Sequence, residues 1–135
     1  MGNANQIRVL LVDDDDRVRQ ALSNILKSYS NIDVVGEASD GDEAFNSIGK
    51  LRPTVVVMDI SMKKMDGITA ARLIKARYPD VLVVGCSAHT QEYNIYAMKR
   101  VCAFEALLKK EDATKDLYPA IQKITAAVDS PPRSQ

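Results

Sequence analysis

Four aspartates in a row, Asp13, Asp14, Asp15 and Asp16, follow the apolar run "IRVLLV" at residues 7–12. Adjacent carboxylates repel one another, and only water or a cation relieves that repulsion. Further along, Asp59 follows "TVVVM", Ser87 follows "VLVVGC" and Lys109 follows "ALL". Three carboxylates brought together suit a hard, oxygen-ligated cation such as Mg²⁺, which keeps several waters and takes few protein ligands. Beside such a cation Asp59 is a nucleophile for phosphorus, while the Ser87 hydroxyl and a lysine ammonium hold the remaining phosphoryl oxygens. The run "ALLKK" favours Lys109 over Lys110, since the strand end would aim the first lysine at the rim. Nothing resembles a Ser-His-Asp triad, the only histidine being His89, and no glycine-rich phosphate loop is present. The chemistry is that of an aspartyl phosphate without a nucleotide site.

Such residues act together only if the fold gathers them. Five apolar or β-branched runs occur at residues 7–12, 32–38, 54–59, 81–87 and 103–108. The first, third and fourth are nearly continuous, as in parallel strands buried on both faces; Glu105 interrupts the fifth. Helical patterns lie between and after them. Val18, Leu22, Ile25, Leu26 and Tyr29 form a stripe behind an N-cap at Asp15 or Asp16. Ala44, Phe45 and Ile48 share a face, and a third helix runs between Gly67 and Pro79. "TQEYNIYAMKRV" buries Ile95 and Met98, and Leu117, Ile121, Ile124 and Val128 mark a last helix. Five βα repeats imply a parallel sheet with helices on both faces, and function at the carboxyl ends of the strands. Asp13, Asp14, Asp59, Ser87 and Lys109 all fall there.

The bulk composition agrees with one globular domain. The chain has 135 residues, 46% apolar and 27% charged, with 18 basic and 18 acidic side chains. A zero balance argues against a domain whose main business is meeting nucleic-acid phosphates. Cys86 and Cys102 lie in apolar surroundings and read as reduced core thiols. No stretch approaches the length of a membrane span and the start lacks signal-peptide character, so the expected location is cytoplasmic. The domain is expected over residues 1–128, with "DSPPRSQ" at 129–135 a tail or the start of a linker.

The ordered set "VLLVDDD", "VVGEASDGDEAF", "PTVVVMDISMKKMDG", "YPDVLVVGCSAHT" and "ALLKKED" resembles the receiver domain of bacterial two-component response regulators, in particular the NarL/FixJ type of the LuxR-family regulators. The likeness covers residues 6 to 128. It implies a flavodoxin-like (βα)5 sandwich of strand order 2-1-3-4-5. It implies Asp59 as phosphoacceptor, with Asp13 and Asp14 as the acidic pair for Mg²⁺ and the Ser61 carbonyl completing the protein ligands. Ser87 matches the family's hydroxyl position and Lys109 its lysine. The implied donor is a sensor histidine kinase or a phosphotransfer protein. The implied response is a change of partner binding, homodimerisation, or control of transcription through a DNA-binding domain absent from this chain. His89 borders the site and Asp15 and Asp16 cap the following helix.

Three positions depart from the family pattern. Ala106 stands where an aromatic residue usually sits, three before the lysine. Lys63 stands where the loop usually has proline, and Lys110 where proline or aspartate is common. The phosphorylation chemistry is therefore expected to be intact and the transmission altered, with Tyr93 and Tyr96 carrying part of the output surface. A competing reading keeps the fold as a phosphorylation-independent docking or dimerisation module. A metal-dependent phosphohydrolase ranks lower, because Ser61 stands where such enzymes need a second aspartate.

Overall fold

The computed structural model describes residues 6–88 and 103–129. The expected helix at "TQEYNIYAMKRV", together with His89, Tyr93, Tyr96 and Cys102, lies outside the described residues. The strands are β1 (Ile7–Val12), β2 (Ile32–Ala38), β3 (Val55–Asp59), β4 (Leu82–Ser87) and β5 (Ala106–Lys109). The described helices are α1 (Asp16–Lys27), α2 (Gly41–Leu51), α3 (Gly67–Arg77) and α4 (Ala113–Asp129), with a 3-10 turn over Lys110–Asp112 leading into α4. All strand pairs are parallel, and the order is β2-β1-β3-β4-β5.

Strand periodicity divides the core into two layers. Val9 and Leu11, Val55 and Val57, and Leu82 and Val84 face α1 and α4, where they meet Leu22, Leu26, Leu117 and Ile121. Leu10 and Val12, Val56 and Met58, and Val83 face α2 and α3, where they meet Ala44, Ile48, Ala70 and Ile74. A sheet covered on both sides explains the nearly continuous apolar runs of β1, β3 and β4. Leu10 is fully buried, so truncation to alanine there costs about 2–5 kcal/mol.

Three local expectations change. The fifth strand starts at Ala106 rather than residue 103, because Glu105 turns its carboxylate back onto β4. Its Oε2 accepts from the Val83 N–H at 2.7 Å, and it pairs with Lys75, whose ammonium also donates to the Val81 carbonyl. The α1 cap is Asp15, which accepts from the Arg17 amide, while Asp16 is the first helical residue. Val128 is 62% exposed rather than part of the buried stripe, and Ala126 and Ala127 beside it are exposed as well. A stacked Tyr29–Tyr118 pair, with ring centroids 3.6 Å apart, joins the end of α1 to α4 instead.

Candidate phosphoacceptor site

The two-layer alternation aims the site residues. Asp13 continues the side of β1 shared by Val9 and Leu11, and Asp59 the side of β3 shared by Val55 and Val57. Both are buried polar groups, 2% and 4% exposed. On β5, Ala106 and Leu108 pack toward the same layer, and the next residue of that parity is Lys110. Its ammonium lies 2.8 Å from Asp13 Oδ2 and 3.3 Å from Asp59 Oδ2.

The structure thus brings Lys110 to the two carboxylates and not Lys109, the lysine expected there. Lys109 is exposed at the end of β5, of the opposite parity, and it makes none of the ion pairs found among the described residues. It is level with Ser87 in the β4–β5 register. The signal for Lys110 was strand parity carried one residue past the strand end. It was hard to use because "ALLK" has no alternation of its own.

The remaining expected residues gather on the same rim. Asp13, Asp14 and Asp59 each bring a carboxylate oxygen within 4.8 Å of the other two. Asp13 Oδ1 accepts from the Asp15 amide at 2.9 Å, and Asp14 Oδ2 from the Lys63 amide at 3.3 Å. Asp59 Oδ1 accepts from the Ser61 amide at 3.1 Å, so exposed Ser61 lies directly against Asp59. Ser87 is buried and closes β4, one residue beyond Cys86, which pairs with Asp59 across the sheet. The loop after Asp59 is held close by Gly67, whose amide donates to the Ile60 carbonyl at 2.8 Å. A Cβ at Gly67 would stand 2.4 Å from the Asp59 carbonyl oxygen.

The electrostatics follow from burial and neighbours. Burial pushes the Asp59 carboxyl above its ordinary value, and the Asp13 charge pushes it further, against the pull of Lys110. Burial alone would lower the Lys110 ammonium, but its contacts with Asp13 and Asp59 outweigh that and raise it. Asp15 is held low, chiefly by the Arg17 amide. Burial pushes the Cys86 thiol up to about 12.

An acidic cluster with a half-buried lysine, at the carboxyl ends of β1 and β3 where the strand order reverses, defines the flavodoxin-like class of parallel α/β domain with its site at the switch point. Residues 9–122 match the family model described as response regulator receiver domain, and the chain belongs to that family. It is 35% identical over 111 residues to the transcriptional regulatory protein DegU of Brevibacillus brevis, covering 82% of this chain and 47% of DegU. Its fold superposes on the receiver domain of a putative response regulator NarL from Mycobacterium tuberculosis with a TM-score of 0.84. That likeness has 25% identity and covers 90% of this chain and 98% of the other. It superposes equally on the isolated receiver domain of RcsB from Salmonella enterica serovar Typhimurium, determined with the phosphomimetic BeF3-, with a TM-score of 0.83 and 26% identity over 90% of each chain. The receiver is thus of the NarL/FixJ type. The chain spans about half the length of the curated relatives it matches.

Proposed function

We propose that Asp59 accepts a phosphoryl group from the phosphohistidine of a sensor histidine kinase or phosphotransfer protein, and that the modified domain changes its partner binding. A carboxylate oxygen of Asp59 attacks phosphorus, the P–N bond to the donor breaks, and the departing imidazole nitrogen keeps the electron pair and takes a proton. Lys110 holds Asp13 and Asp59 apart from direct repulsion and stands ready for a phosphoryl oxygen. Ser87 supplies a hydroxyl at the same rim.

The donor set supports Mg²⁺, which would be held by Asp13, Asp14, Asp59 and the Ser61 carbonyl. It is all oxygen, and its three carboxylates with one ammonium leave two negative charges for a divalent cation to balance. When bound, the metal supplies charge neutralisation for the phosphoryl oxygens.

The observation that carries this reading is the single ammonium between a buried acceptor carboxylate and a buried partner carboxylate. The docking-module reading is not favoured, because a docking surface has no need of that arrangement. The domain modifies only itself and turns over no external metabolite. Its setting is the cytoplasm, and residues 129–135 follow the receiver as a tail or linker. Through its relatives' kind, the output is control of transcription by a DNA-binding domain or a homodimer. The test is intact mass spectrometry after exposure to phosphoramidate with and without Mg²⁺. One added phosphoryl group that needs Mg²⁺ and is lost in Asp59→Asn supports the reading; modification unaffected by Asp59→Asn overturns it.

A further inference from the structure

We infer that Arg19 is a positioning residue for the Mg²⁺ ligands, an inference that rests on the proposed acceptor chemistry. Arg19 stands in the second half of the first turns of α1, and its side chain is only 13% exposed. Its guanidinium uses three edges at once. One nitrogen donates to the main-chain carbonyl of Asp13, another pairs with the Asp16 carboxylate, and Nε reaches Glu37 Oε1 on β2 at 3.0 Å. The planar fork fits this task better than an ammonium, because it spreads its donors over three nitrogens in fixed directions whereas an ammonium must reach every acceptor from one nitrogen.

The contact with the Asp13 carbonyl matters most. The turn that carries both acidic ligands runs from the end of β1 to the Asp15 cap, and besides Arg19 it is held by β2, by its own Asx bond and by the Lys63 amide on Asp14. The Asp13 amide donates to the Ala38 carbonyl at 3.1 Å, and the Asp15 amide donates to Asp13 Oδ1. Arg19 adds a second tie from that turn to the edge strand β2, from the Asp13 carbonyl to the Glu37 side chain, and so helps fix the direction in which Asp13 and Asp14 present their oxygens. Groups behind metal ligands typically change affinity about 10–100-fold when removed. Arg8 offers an internal contrast. It also clamps main-chain carbonyls, those of Leu51 and Arg52 at the end of α2, and pairs with Asp33. It begins from β1 at the opposite end of the sheet.

The experiment compares Arg19→Gln, Arg19→Lys, Glu37→Gln and Arg8→Gln with the parent protein. Mg²⁺ affinity is read by calorimetric titration, and hydrogen exchange of the Asp15 amide is read by NMR without metal. Arg19→Gln is expected to weaken Mg²⁺ binding about tenfold or more and to speed Asp15 exchange. Arg19→Lys and Glu37→Gln fall between, and Arg8→Gln leaves the affinity unchanged while lowering the melting temperature. Equal effects of Arg19→Gln and Arg8→Gln on affinity, or unchanged Asp15 exchange in a folded Arg19→Gln protein, overturn the inference alone. A parent protein that binds no Mg²⁺ overturns the acceptor reading and this inference with it.

Discussion

The Lys110 ammonium lies 2.8 Å from Asp13 and 3.3 Å from Asp59, bridging two buried carboxylates on neighbouring strands. A bridging cation of this kind lowers the repulsion between them, and under the proposed transfer it already stands where negative charge would gather. Lys109, one residue earlier, is exposed and outside that contact.

Substitution of the two lysines should therefore separate them. Lys110→Ala is expected to slow phosphorylation of Asp59 by a small-molecule donor by about a hundredfold, and Lys109→Ala by less than about threefold. Rates from a phosphoramidate time course, read by mass, provide the check. The reverse ranking would return the role to Lys109.

The raised Asp59 carboxyl gives a stability prediction with a definite sign. Its folded-state value exceeds the ordinary 3.8, so the protonated form favours folding. That contribution is complete below pH 3.8 and is lost as pH rises through the folded-state value. Asp59→Asn should therefore be more stable than the parent at neutral pH without Mg²⁺, with the gap closing as pH falls toward that value. Urea unfolding of both proteins across that range measures it, and a less stable Asp59→Asn at neutral pH would contradict the electrostatics.

Gly67 tests the backbone of the acceptor loop. The Cβ of an alanine there would meet the Asp59 carbonyl oxygen at 2.4 Å and the Ile60 Cα at 2.7 Å, both main-chain atoms. Neither can yield without moving Asp59. Gly67→Ala should cost about 1–3 kcal/mol in denaturant unfolding and weaken Mg²⁺ binding as well.

Cys86 should be chemically silent. It is buried in β4 and its thiol is pushed up to about 12, so almost no thiolate forms near neutrality. In a Cys102→Ser protein, a thiol reagent should label nothing until the fold is melted. Labelling of the native protein at the rate of a free thiol would show that β4 opens.

Much of this architecture was legible because burial on both faces leaves a plain mark: the runs of β1, β3 and β4 are apolar at nearly every position up to their carboxyl ends. The acidic pair, Asp59 and Ser87 could be read from where those runs stop. Lys110 could not, because β5 is short and the chain turns into a 3-10 helix at that residue, so the lysine's direction depends on Ala106 and Leu108 facing α1 and α4. The late start of β5 was hidden for a related reason. Glu105 looked like an interruption, and its role is set by Lys75 and the Val83 amide, which are distant in sequence. The clamp of Arg19 on Asp13 and Glu37 likewise needs the β2 edge to be in place.

The central claim is that Asp59, with Lys110 beside it, is a working Mg²⁺-dependent acceptor. Beryllofluoride, which mimics a phosphoryl group, tests it most directly when backbone NMR is recorded with and without Mg²⁺. The account predicts shifts at Asp59, Ser61, Ser87 and Lys110 that require Mg²⁺, are abolished by Asp59→Asn and are strongly weakened by Lys110→Ala. Spectra that do not change with beryllofluoride and Mg²⁺, or that change equally in Asp59→Asn, would contradict it.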